Sequence, residues 1–143
     1  MSAIRGVATW LYRLLTIIWL LGAIVQFFLA GSGIFGIKVG EKLEDQSSFD
    51  PHRAVGSLLW MGGLLIFLLV LLAWPEKNVI GWYGVFLVFD VIQDPLAWAG
   101  EDSRWVGALH PVNGLILLAL SGTLARRAFM AMGGRAPTRP AVT

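Results

Sequence analysis

The chain has 143 residues, 57% of them hydrophobic and 14% charged, with a mean hydropathy of +0.72. A soluble domain of this size has too much surface for its volume to hide that much apolar area, so the composition is that of an integral membrane protein. A net charge of +2 is too small to argue for nucleic acid, and the absence of cysteine excludes disulfides, iron–sulfur clusters and thiolate zinc sites.

About 20 apolar helical residues cross a bilayer core, and four stretches qualify, at roughly 7–30, 51–74, 79–98 and 103–125. The first is followed by an outer cap over 31–49, opening with Gly31-Ser32-Gly33 and carrying Lys38, Glu41, Lys42, Glu44 and Asp45, with a short interfacial segment expected near Ile34 to Val39. The second and third are joined through Pro75-Glu76-Lys77-Asn78-Val79, a turn short enough to make them antiparallel neighbours. Helix four cannot start at Pro111, because too few residues would remain before Arg126-Arg127 to span, so it is expected to begin near Ser103 and pass through His110. The predicted fold is an all-α four-helix transmembrane bundle, up-down-up-down, occupying residues 1–132. Residues 133–143, rich in Gly, Pro, Arg and Thr, are expected to form a disordered tail. No internal repeat stands out by eye.

Cations orient the bundle. Arg5, Arg13, Lys77, Arg126, Arg127, Arg135 and Arg139 fall at one end, against Lys38, Lys42, Arg53 and Arg104 at the other. The excess places both termini in the cytoplasm and the chain in the cell (inner) membrane. A signal peptide is a poor alternative, since the apolar run from Leu14 to Ala30 exceeds an h-region. Most of the seven tryptophans mark the interfacial belts; Trp19 and Trp60 lie deeper. Gly31, Gly33 and Gly36 spell a dinucleotide fingerprint but follow a membrane helix and no strand, so that reading has no support.

The few polar residues inside the spans sit at similar depth: Gln26 on the first, His52 on the second, Asp90, Gln93 and Asp94 on the third, His110 and Asn113 on the fourth. Ionisable groups in a membrane are costly unless they face the bundle interior and find partners, so the set is a candidate functional site. Gly22, Gly56 and Gly114 each lie four residues inward of Gln26, His52 and His110, on the same helical face. Such glycines let a flat cofactor approach, or else simply tighten helix packing. Asp50-Pro51-His52-Arg53 reads as a helix start, with Asp50 as cap and Pro51 in the first turn. Asp90 and Asp94, one turn apart, are candidates for holding or passing a proton in a polar network with Gln26, Asp50 and Gln93.

Two histidines near the outer ends of the second and fourth helices, the first inside Asp50-Pro51-His52-Arg53, resemble one half of the haem A synthase fold and, more loosely, small b-type membrane cytochromes. Phe49-Asp50-Pro51-His52-Arg53-Ala54-Val55-Gly56 and Leu109-His110-Pro111-Val112-Asn113-Gly114 are also similar to a bacterial four-span family of uncharacterised function. The first resemblance implies a haem held between His52 and His110.

The residues themselves suit a b haem used in electron transfer or other redox chemistry. Two imidazoles would ligate iron; Gly56, Gly114, Asn113, Phe27, Trp60 and Phe89 would line the macrocycle; Arg53 and Arg104 would meet its propionates. Two alternatives stay open. One is a non-haem metal or quinone enzyme in which His52, His110, Asp50, Asp90 and Asp94 act as ligands or proton carriers. The other is a non-catalytic membrane subunit or assembly partner whose polar cluster is structural. The bilayer is the expected environment in each case, with a redox partner or quinone added in the first two.

Overall fold

The structure, a computed structural model, describes residues 2–40, 42 and 45–133. Its helices are α1 (Ala3–Phe35), α2 (Asp50–Ala73), α3 (Lys77–Val91), α4 (Gln93–Asp102), α5 (Arg104–Gly107) and α6 (Leu109–Gly133), with a 3-10 turn at Ser47–Phe49 leading into α2. They compose four spans long and apolar enough to cross a membrane, Ala3–Phe35, Ser47–Ala73, Lys77–Asp102 and Arg104–Gly133. Residues 134–143, most of the expected tail, and Glu41, Leu43 and Glu44 of the cap lie outside the described residues.

Local chemistry sets the helix ends. Ser2 caps α1, its Oγ accepting from Arg5 N–H at 3.5 Å. Trp74 ends α2 in the left-handed region (φ 48°, ψ 59°), its N–H bonded to Val70 O, and Pro75 then prevents continuation. The link to α3 is therefore only Trp74 to Glu76, shorter than the five-residue turn expected. The third and fourth spans are each interrupted once, at Ile92 and at Ala108. Each interruption lies three residues before a proline, Pro95 and Pro111. A proline ring crowds the carbonyl four residues earlier and removes one helical hydrogen bond, and each span is interrupted there. Between them α4 and α5 turn back through the single extended residue Ser103. Gly100 and Gly107 allow that hairpin to close: a Cβ built on Gly100 would sit 2.9 Å from the Gly107 Cα.

The cap differs from expectation at its start. α1 continues helically through Gly31-Ser32-Gly33 to Phe35. Gly33 is buried because the Phe49 ring packs where a side chain would be, and Ser48 Oγ donates to Gly33 O at 2.9 Å. Buried Gln46 holds the other edge: its Oε1 accepts from Lys38 N–H at 2.8 Å, and its Nε2 donates to Lys38 O at 2.9 Å.

In cross-section the helices form a square in which α1 neighbours α2 and α6, and α3 closes the opposite corner. The core runs along the square's centre through Tyr12, Trp19, Ile66, Val70, Tyr83, Phe86, Leu117 and Leu124. Contacts across the diagonals pair like with like. Adding 67 to a residue number in α1 gives its counterpart in the third span (Gln26 to Gln93), and adding 58 in α2 gives its counterpart in α6 (His52 to His110). Under that mapping Thr16 matches Tyr83, and their hydroxyls lie 2.9 Å apart. Trp19 matches Phe86, with ring centroids at 4.8 Å, and His52 matches His110, at 6.2 Å. These matched contacts pair the first hairpin with the second as a pseudo-repeat about the bundle's long axis. The sequence does carry a faint repeat: Gln-x-x-Leu-Ala at Gln26 and Gln93, and His-x-x-x-Gly at His52 and His110.

Candidate functional site

The site is built from the two Gln–His pairs, one per hairpin. In the first, Gln26 Nε2 donates to His52 O at 2.7 Å, and His52 Nδ1 lies 3.3 Å from Gln26 O. In the second, Gln93 Nε2 lies 3.2 Å from His110 O and 3.3 Å from His110 Nε2, and His110 Nδ1 lies 3.0 Å from Gln93 O. Each glutamine thus binds the backbone of its histidine, and each histidine the backbone of its glutamine. A ring nitrogen facing a carbonyl carries the hydrogen, so in both histidines Nδ1–H donates to the glutamine backbone.

These glutamines explain the glycines. A Cβ on Gly56 would meet Gln26 Nε2 at 2.8 Å, and one on Gly114 would lie 3.5 Å from Gln93 Nε2 and from the Phe27 ring. The notches expected to admit a flat cofactor are filled by side-chain amides and an aromatic edge, while Gly22 is covered by Leu59. Asn113 is buried, and its Nδ2 donates to Phe89 O at 2.8 Å and to Gln93 Oε1.

Among the described residues two buried side-chain oxygens have no hydrogen-bond partner, Gln26 Oε1 and Asp90 Oδ2. Both occur where the hairpins differ. Asn113, which serves Gln93 Oε1, corresponds to Val55, so Gln26 Oε1 has nothing to accept from. Asp90 corresponds to Ala23. It is 3% exposed and projects against α2, where a Cβ on Gly63 would lie 2.1 Å from its Oδ2.

The remaining candidates lie at the edge. Arg53 Nη1 donates to Asp50 Oδ1 at 2.9 Å and to Gln46 O at 3.1 Å, so this arginine ties α2 to the cap. Asp50 makes that ion pair as the first residue of α2, and the cap position expected of it is held by Phe49. The Phe49 ring stands edge-on to His52 with centroids 6.4 Å apart, and Arg104 lies over Trp105 at 5.1 Å. Asp94 is partly buried just past the Ile92 break, and Trp19, deeper in the bundle, donates from Nε1 to Leu59 O at 2.8 Å. Gln46 and Phe49, which hold the cap over the histidines, were not among the sequence candidates; a glutamine or phenylalanine in a polar loop carries no signal of burial.

Among the described residues no three His, Asp or Glu side chains gather as ligands for a metal ion. The carboxylates expected beside the histidines in the metal alternative do not form such a group. Comparison with protein-family models, with curated proteins and with solved structures finds no match to this chain.

Proposed function

We propose that the chain is a multi-pass membrane protein of the cell membrane, with both termini cytoplasmic, that holds one b haem between His52 and His110 and serves in electron transfer or redox chemistry. The observation that carries this reading is the imidazole pair. Its centroids lie 6.2 Å apart with the rings edge to face, and both Nδ1 atoms face backbone carbonyls; to ligate iron, His110 Nε2 would exchange its present neighbour, Gln93 Nε2 at 3.3 Å, for the metal. Rings at this spacing would allow His52 and His110 to hold one ion between them. Ligating histidines characteristically give their other nitrogen to a carbonyl, which sets the tautomer and ring orientation.

The donor set favours haem over a bare ion. Two imidazoles alone leave a zinc or copper site short of ligands, whereas a porphyrin brings four nitrogens of its own. Bound there, haem supplies one-electron chemistry. The protein's part is to orient the two rings through Gln26 and Gln93, to exclude water with the cap, and to provide apolar shell from Phe27, Phe49, Trp60 and Phe89. Asp90, with Asp94 beyond it, is the proposed proton-holding group. Asp90→Asn keeps the hydrogen-bonding shape and is expected to flatten the pH dependence of the midpoint potential; an unchanged slope assigns Asp90 a structural role.

A second reading is favoured by one observation: the reciprocal Gln–His bonds already tie α1 to α2 and the third span to α6, as a structural polar lock would. His52→Ala and His110→Ala distinguish the two. Under the haem reading each variant loses or sharply alters the absorption spectrum. Under the structural reading neither has a spectrum to lose, and both are destabilised by about 1–3 kcal/mol through partners left unsatisfied.

A further inference from the structure

At the end of the bundle opposite the histidines, a groove of about 170 Å³ opens between α1, α3 and α6. Arg13 and Arg127 line it from different helices, with Trp82 and Tyr83 beside them and Leu124 and Ala128 forming apolar wall. No carboxylate lines it. Each guanidinium rests on an aromatic face, Arg13 5.9 Å from the Tyr12 ring centre and Arg127 5.5 Å from that of Trp82. At these distances each cation lies within reach of the negative face of its ring.

Two cations in one groove repel each other, and no carboxylate within it compensates. The surrounding surface adds to the excess, because Arg5, Lys77 and Arg126 lie at the same end and Glu76 is the only acid there among the described residues. The groove therefore calls for an anion, and its shape narrows the choice. A guanidinium edge matches phosphate oxygens in a bidentate fork, while the apolar wall below suits the start of an acyl chain and gives a small soluble anion nothing. Trp74 and Trp82, both exposed at this end, mark the depth at which headgroups lie.

We propose that the groove of Arg13, Arg127 and Trp82 binds the phosphate of one anionic phospholipid of the leaflet that faces the chain termini. The proposal rests on the reading that the four helices span a bilayer, and not on haem. Each arginine contributes about fivefold, so the anionic lipid is held roughly twenty-five-fold more tightly than a zwitterionic one of the same chain length.

The test uses the full chain in nanodiscs of phosphatidylcholine, with and without phosphatidylglycerol. Phosphatidylglycerol should raise the thermal midpoint, and native mass spectrometry of the wild type released from the mixture should show one retained phosphatidylglycerol per chain. Arg13→Gln with Arg127→Gln should abolish the increment while keeping the midpoint in phosphatidylcholine alone. Arg5→Gln with Lys77→Gln removes the same charge from the same end and should keep it. Equal loss in both double variants, or no retained lipid on the wild type, overturns the site. Reproduction of the shift by inorganic phosphate in lipid-free detergent overturns the assignment to a lipid. Failure of the spans to insert, read by protease accessibility, would instead remove the membrane reading itself.

Discussion

At the residue scale, the two hairpins act as controls for each other, because a position that differs between them shows what its side chain adds. Gln93 Oε1 is served by Asn113, whereas Gln26 Oε1 has no partner, Val55 standing at the position that corresponds to Asn113. Val55→Asn places the missing donor in the first hairpin and should stabilise the protein by about 0.5–1.5 kcal/mol in detergent unfolding; a loss of stability would show that the two pockets are not equivalent. Asp90 and Gly63 form the other unequal pair. Gly63→Ala should cost about 1–3 kcal/mol, since its Cβ would overlap the carboxyl, and the cost should fall close to zero in an Asp90→Ala background. Additive penalties would contradict the contact. The sequence showed Gln26, His52, Gln93 and His110 at like depth, because polar residues are conspicuous against apolar spans. It did not show who bonds whom: the glycines were legible as notches, but what fills them depends on helix rotation, which periodicity does not set.

At the scale of elements, the spans were legible and their interruptions were not. Apolar length alone locates a crossing helix, whereas the breaks at Ile92 and Ala108 depend on how Pro95 and Pro111 meet their preceding carbonyls. A proline in a membrane helix bends it without ending it, so both spans continue past their break. The α4–α5 hairpin puts backbone against backbone at Gly100 and Gly107, and backbone cannot rotate away as a side chain can. Gly107→Ala should therefore destabilise by about 1–3 kcal/mol. Gly81→Ala, where a Cβ meets nothing within 4 Å, should be neutral or stabilising by up to about 1 kcal/mol. Equal effects at the two glycines, measured by thermal unfolding, would contradict the close approach.

At the scale of the whole molecule, the pseudo-repeat accounts for why the polar residues converge at one end. A hairpin carrying one glutamine and one histidine near its tip, repeated on the other side of the bundle, brings two imidazoles into edge-to-face contact. The repeat escaped the eye because Gln26 and His52 are 26 residues apart and Gln93 and His110 only 17, the cap of the first hairpin being replaced by the tight turn at Ser103. Orientation is open to direct labelling, since the chain has no cysteine. A cysteine at Ser47, exposed in the cap, should react with an impermeant reagent outside the cell, and one at Ser2 should not; the reverse would invert the proposed topology. The central claim is that His52 and His110 share one iron. Its most direct measurement is the absorption and low-temperature magnetic resonance spectrum of the full chain, purified after expression with ample haem. The account predicts one haem per chain with a low-spin, six-coordinate signature. A colourless protein of full stability, or a haem whose spectrum is the same in His52→Ala and His110→Ala, would contradict it.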